Sequence, residues 1–175
     1  MLYFLPTLLT KNECSFLYKE FQTQKITTPN QDNDKKTLGL NTYGFRPNNT
    51  FNNYLDILKP TINKFIDTQN LVLENVNTFV REYKTGSYLK KHIDRNDIGI
   101  TLSICLYNDT NETWPLNIDY KNKIHAINSN IGDGILLFDS NKIVHWRDEL
   151  KCKDNNSITQ FFLHWVIRKN NKSLL

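Results

Sequence analysis

The sequence predicts a mainly β fold with flanking helices, an α+β arrangement in which helices pack on one sheet of a β-sandwich or barrel. Three observations predict it. Helical periodicity is confined to about residues 8–68, and short runs of β-branched and aromatic residues, separated by turn residues, fill about 71–168. The third is composition: 39% hydrophobic and 23% charged residues, with ten Phe, eight Tyr and three Trp, supply a packed core and exclude a disordered chain. At 175 residues the chain is expected to form one domain, 1–175.

The first helix announces its start. Thr10 and Glu13 have capping-box spacing, and Phe16, Leu17 and Phe21 follow as an apolar face. Residues 27–49 are polar and contain Pro29, Gly39, Gly44 and Pro47, so they read as loop. The tip of that loop, Asn30-Gln31-Asp32-Asn33-Asp34, is expected to be mobile. Tyr43-Gly44-Phe45 is expected either to cross the mouth of a pocket or to pin a surface loop. A second helix is predicted over Thr50 to Asp67 from Phe51, Tyr54, Leu55, Leu58, Ile62, Phe65 and Ile66, with Pro60 kinking or splitting it. The strand-like runs are 72–73 with Val76, 79–83, 98–107, 116–118, 123–127, 134–138 and 160–167.

Charge and cysteine usage narrow the function classes. The net charge of +4 comes from scattered residues such as Lys35-Lys36, Lys90-Lys91 and Arg168-Lys169, which reads as a solvated lysine-rich surface. A dense basic groove with interleaved aromatics is missing, so nucleic acid is an unexpected partner. Cys14, Cys105 and Cys152 have no paired spacing and make neither a disulfide framework nor a zinc site; Cys14 and Cys105 lie in apolar patterns. The N-terminus lacks the basic segment of a signal peptide, and nothing resembles a membrane span. A reduced, cytoplasmic setting is the expectation. The 24 Asn, the single Ala (Ala126) and the excess of Lys over Arg match AT-rich codons, as in a streamlined bacterium or a virus or phage.

The chemistry centres on His92-Ile93-Asp94 and on His145. Two imidazoles and a carboxylate form the facial ligand set of a non-haem Fe(II) centre, which leaves positions for a cosubstrate and oxygen. In a chain with four His and twelve Asp, a His-x-Asp triplet arises readily by chance, so its context decides. Strand alternation would point His92 and Asp94 to the same side. A jelly roll would bring His145, from a distant strand, into the same barrel mouth. His125 belongs to a predicted surface hairpin, and His164, within Phe161-Phe162-Leu163-His164-Trp165, reads by default as a satisfied core or barrel histidine.

The stretch Val80-Arg81-Glu82-Tyr83-Lys84-Thr85-Gly86-Ser87-Tyr88-Leu89-Lys90-Lys91-His92-Ile93-Asp94 resembles the entry to the iron site of 2-oxoglutarate-dependent oxygenases of the prolyl 4-hydroxylase type. The order that follows is also similar: Leu106 to Asp109, Trp114-Pro115-Leu116, Gly132-Asp133 before an apolar strand, His145, and Thr159 to Val166. Phe4-Leu5 to Cys14 resembles the family's opening segment. Within the family, His92-Ile93-Asp94-Arg95, Trp114-Pro115-Leu116, His145-Trp146-Arg147 and Gln160-Phe161-Phe162-Leu163-His164-Trp165-Val166 are similar to the motifs of a less studied branch.

The resemblance implies a double-stranded β-helix core of the jelly-roll, cupin-like kind. It implies that Fe(II) binds His92, Asp94 and His145, the catalytic residues, with 2-oxoglutarate and O2 as cosubstrates and ascorbate as a possible reductant. The implied activity is hydroxylation of a C–H bond in a small molecule or an amino-acid or peptidyl side chain, with release of succinate and CO2. The basic residue that usually anchors the distal carboxylate of 2-oxoglutarate has no counterpart at Asn155 or Thr159. Arg147 is the favoured substitute because a guanidinium binds a carboxylate bidentately, and Arg81 is the other candidate. Tyr83, Thr159, Gln160 and His164 are candidates for further hydrogen bonds to the cosubstrate. Trp114, Trp146, Asp148 and Arg95 are candidates for the substrate pocket. A metal-binding jelly roll without catalysis and an oxidative nucleic-acid demethylase are the alternatives.

Overall fold

The computed structural model describes residues 1–32, 35–39, 41–67 and 69–169, without the side chains of Lys35 and Lys36. The elements run β1 (Leu2–Leu5), α1 (Lys11–Lys25), α2 (Lys35–Leu38), β2 (Thr42–Phe45), α3 (Asn49–Asn52), α4 (Tyr54–Asn63), β3 (Leu71–Tyr83), β4 (Leu89–His92), β5 (Ile100–Asn108), β6 (Leu116–Tyr120), β7 (Lys123–Ile127), β8 (Gly134–Phe138), β9 (His145–Arg147) and β10 (Ile158–Lys169). Two antiparallel sheets form. The major one has the order β1-β8-β5-β10-β3-β2 and the minor one β4-β9-β6-β7. This mostly-β arrangement of two facing sheets with N-terminal helices on one of them is the predicted architecture.

Strand alternation sorts the major sheet into two faces. Ile100, Leu102, Ile104 and Leu106 of β5, Val80 of β3, and Phe161, Leu163 and Trp165 of β10 pack in one core with Cys14, Leu17 and Phe21 of α1 and with Leu55, Leu58 and Ile62 of α4. The intervening residues face the minor sheet. They are largely polar, and they line the interior described below. Burial of the apolar face against the helices is the main stabilisation of the layer. Helix α1 begins as predicted. The Thr10 hydroxyl accepts the Glu13 amide (3.2 Å), and the Glu13 carboxylate accepts the Thr10 amide (2.8 Å).

Three local expectations change. Residues 42–45 are a strand, not loop: β2 pairs antiparallel with β3 from Thr42↔Tyr83 to Phe45↔Val80, because Phe45 is fully buried against Phe21. The tip of the preceding segment is held where it is described. Asn30 donates to the Thr42 carbonyl (2.9 Å) and accepts the Gly44 amide (2.9 Å), and Asp32 is buried. Asn33 and Asp34, the rest of the expected mobile tip, lie outside the described residues. The second helix divides at Asn53, between α3 and α4, and Pro60 sits within α4. Proline leaves the carbonyl four residues earlier without its helical donor; here that residue is Asp56, on the solvent side of the helix, where water can serve it.

Among the described residues, no helix is long and apolar enough to cross a membrane. Cys14 and Cys105 are fully buried and unpaired, and burial pushes their thiols up to about 11 and about 12, as small core residues.

Candidate metal centre and its cavity

His92 ends β4 and His145 begins β9, and the two residues are register partners in the minor sheet. Their rings lie 4.3 Å apart, centroid to centroid. Each Nδ1 is tied to a carbonyl two residues earlier, His92 to Lys90 and His145 to Ile143, both at 2.9 Å. Those bonds assign the protons to Nδ1 and turn both Nε2 lone pairs toward Asp94. Both Nε2 atoms stand 3.8 Å from Asp94 Oδ1. The three ligand atoms lie within 4.8 Å of one another.

Asp94 reaches this point by a different route from the one strand alternation suggests. The strand stops at His92, Ile93 is exposed, and the Asp94 amide donates to the Ser140 carbonyl across a loop (3.0 Å). Asp94 Oδ2 accepts the Thr101 hydroxyl at 2.5 Å, and Thr101 also contacts the Ser140 hydroxyl (3.1 Å). One carboxylate oxygen is thereby occupied and the other left to the two imidazoles. Thr101 and Ser140 carry no sequence signal, since each is an ordinary hydroxyl residue until the sheet is assembled. Burial, with the His92 ring adding to it against the pull of Asp94, lowers the His145 pKa and favours the neutral imidazole that a metal requires. Neutral imidazoles with fixed tautomers and a monodentate carboxylate suit a divalent first-row metal, and the set is open on the side facing the interior.

That interior is a cavity of about 350 Å³ between the sheets, within the range of small-molecule sites. Its wall includes all three ligand residues together with Arg46, Asn77, Arg81, Arg95, Arg147 and His164. The two candidate anchors differ sharply. Arg81 is already neutralised: Nε and Nη2 pair with the Asp32 carboxylate at 2.7 and 2.8 Å, and Nη1 donates to the Tyr83 hydroxyl at 3.2 Å. Burial works against its charge, but Tyr83 and Asp32 outweigh it and the pKa rises.

Arg147 has no such partner. It is 3% exposed, its guanidinium stacks 4.7 Å from the Trp114 ring centre, and Nη1 donates to the Trp114 carbonyl at 2.5 Å. Its Nη2 is buried without a hydrogen-bond partner, and no carboxylate pairs with it among the described residues. Burial accordingly lowers its pKa. A buried guanidinium with an unspent donor costs free energy unless an acceptor arrives, and a carboxylate is the acceptor it suits best. Being two residues from His145 on one strand, Arg147 shares its inward face. Tyr83 is fully buried beside this end of the barrel, 4.7 Å from Trp114.

The remaining predicted positions separate by strand parity. Gln160 faces inward, accepting the Ser103 hydroxyl (3.1 Å). Thr159 does not: it pairs with Glu82, whose carboxylate bonds Gln22 and Lys25 of α1, so Thr159 belongs to the helix-facing side of the sheet. Trp146 lies between two inward residues and therefore points outward, where Lys91 sits 4.4 Å over its ring. Trp114 is core, its indole N–H on the Asp148 carbonyl (2.7 Å). Asp148 is exposed and its carboxylate accepts from Asn117 (3.0 Å). Arg95 does reach the cavity rim, in a double contact with Asp97 at 3.0 Å. His125 lies in the β6–β7 hairpin, as expected, and His164 proves to be a cavity residue.

No protein-family model matches the sequence, and no curated protein matches it. Solved structures do match the fold. A viral collagen prolyl hydroxylase from Paramecium bursaria Chlorella virus-1, in complex with 2-oxoglutarate, superposes with a TM-score of 0.63 at 15% identity, over 94% of this chain and 96% of that one. A 2OG-Fe(II) oxygenase family oxidoreductase from Burkholderia pseudomallei gives 0.70 at 11% identity, over 94% and 83%. HygX from Streptomyces hygroscopicus, with nickel, 2-oxoglutarate and hygromycin B bound, gives 0.68 at 11% identity, over 93% and 82%. The fold is the one these jelly-roll oxygenases share.

Proposed function

We propose that the chain is a single-domain Fe(II)- and 2-oxoglutarate-dependent dioxygenase. It hydroxylates a C–H bond of a small molecule or of an amino-acid or peptidyl side chain, releasing succinate and CO2. One observation carries this: a convergent His92–Asp94–His145 donor set opens into the same cavity as a buried guanidinium that lacks an anion. A dicarboxylate cosubstrate would answer both features, held by Arg147 and by a metal on the three donors.

When bound, Fe(II) with 2-oxoglutarate and oxygen supplies an oxidant strong enough for an unactivated C–H bond. The chain's own residues do the rest. His92 and His145 present Nε2, held by their Nδ1 bonds to Lys90 and Ile143. Asp94 presents Oδ1, held by Thr101 through Oδ2. Arg147 would hold the distal carboxylate of the cosubstrate. Tyr83, whose oxygen accepts from Arg81, would have its O–H free to donate toward the same end of the site. Leu116, Ile135 and Leu137 on the cavity wall exclude water and strengthen every charged contact inside.

The test is anaerobic titration of the purified chain with Fe(II) and 2-oxoglutarate, followed by oxygen with ascorbate as reductant. The expected outcome is a metal-to-ligand charge-transfer band and slow uncoupled succinate formation, both lost in His92→Ala. A protein that binds Fe(II) but shows neither band nor succinate would leave only a metal-binding jelly roll.

A further inference from the structure

We infer that the primary substrate carries an anionic group, a carboxylate or a phosphate, and that Arg46 at the cavity rim is the residue that reads it. This rests on the oxygenase reading above and specifies the substrate class of the same site.

Besides Arg147, the cavity lining holds three arginines. Two have carboxylate partners: Arg81 on Asp32, largely buried, and Arg95 on Asp97, an exposed pair. Arg46 is the third. It follows β2, its backbone amide is fixed on the Gln31 side-chain oxygen (3.1 Å), and its exposed guanidinium pairs with no carboxylate among the described residues. Among the described residues, the one carboxylate lining the cavity is Asp94, which faces the metal position. Among those residues Arg46 is therefore a lining cation without a carboxylate partner.

His164, also on the lining, leaves that balance unchanged. His164 lines the cavity with its Nδ1 on Asn77 Oδ1 at 2.8 Å. Its pKa falls to about 4 through burial, with Arg95 and Arg81 outweighed in part by Asp94 and Asp97. It stands neutral at physiological pH and adds no further cation. A substrate ammonium would meet this wall unfavourably, and an anion would complete it. Between the polar groups, Phe79, Phe162 and Ile98 offer an apolar bed for a hydrocarbon body. Arg147 cannot serve the same anion, since it lies at the buried end and answers the cosubstrate.

Four probes that share one branched hydrocarbon body test the inference: N-acetyl-L-leucine, its neutral carboxamide, 3-methylbutyl phosphate and the cation L-leucinamide. Binding is measured by calorimetry on the protein loaded with Fe(II) and 2-oxoglutarate without oxygen, and again on metal-free protein. At least one anion is expected to bind about tenfold more tightly than the carboxamide, the worth of one charge-assisted contact at a partly exposed site. Whichever anion wins separates a carboxylate from a phosphate substrate. Arg46→Gln should remove the preference and Arg46→Lys should keep part of it, with 2-oxoglutarate affinity unchanged in both. Equal binding of anion and carboxamide, a preference that survives Arg46→Gln, or no binding of any probe overturns the inference. Failure to bind Fe(II) and 2-oxoglutarate would instead sink the oxygenase reading, while the metal-free titrations still decide the role of Arg46.

Discussion

Replacing Arg147 by Met separates a functional cation from a structural one, because the two roles predict opposite effects on stability. In the free protein the guanidinium is buried with Nη2 unpaired, and it makes one carbonyl bond and one stacking contact, both to Trp114. The unspent donor alone costs roughly 1–3 kcal/mol, and desolvation of the charge adds to that. The lost carbonyl bond and the lost stacking on Trp114 offset it by about 1 kcal/mol each. Methionine retains the apolar stem and much of the volume. The ligand-free variant should therefore be as stable as the parent or slightly more so, with a Tm up to about 4 °C higher for a chain of this size. Binding of 2-oxoglutarate should collapse in the same variant. Two bonds to a carboxylate, each worth about 1.5 kcal/mol or more, amount to about 3 kcal/mol, or roughly 150-fold in Kd. Thermal unfolding by circular dichroism and anaerobic calorimetry with Fe(II) read the two effects. A Kd within about threefold of the parent, or a Tm loss beyond about 8 °C, would show that Arg147 is a strut and not an anchor.

Asp32→Leu strands the largely buried Arg81 guanidinium and should cost about 2–4 kcal/mol, or roughly 4–16 °C in Tm, most of it recovered in Asp32→Leu/Arg81→Met. Unfolding of the four proteins of that cycle measures it, and a full penalty in the double variant would contradict the pairing. Thr101→Val frees Asp94 Oδ2 and should weaken Fe(II) or Mn(II) binding about tenfold or more in chelator competition while the far-ultraviolet spectrum stays unchanged. Parent-like affinity would mean that Asp94 needs no such support.

Much of the architecture is legible from residues close together in the chain. The capping box of α1 and the change from helical to strand texture after residue 70 are local, and each appears where the pattern puts it; the α1 face does so in part, since Leu17 and Phe21 are buried while Phe16 is exposed and Cys14 takes the third core position. The departures are equally physical. Thr42 to Phe45 looks like loop because Gly44 interrupts it, yet Gly44 is where Asp32 and Phe79 press on the strand and leave no room for a side chain. The outward direction of Trp146 was readable in principle, since it sits between two residues that must face inward if the strand is regular.

By itself, the sequence determined the chemical inventory: which imidazoles and carboxylate can form a metal site, which arginines can serve as cations, and a pattern of strands able to carry them. Only the tertiary structure decided what each group is free to do. Arg81 and Arg147 are both candidate anchors by sequence, with Arg147 favoured. One meets Asp32 from a segment 49 positions away and is neutralised, and the other meets an indole ring and a carbonyl and is left with a donor to spend. Thr159 and Gln160 are neighbours, but strand pairing turns one toward α1 and the other to the inner face of the sheet, where it accepts the Ser103 hydroxyl. Charge neutralisation and strand facing depend on partners distant in sequence, and no local pattern encodes them.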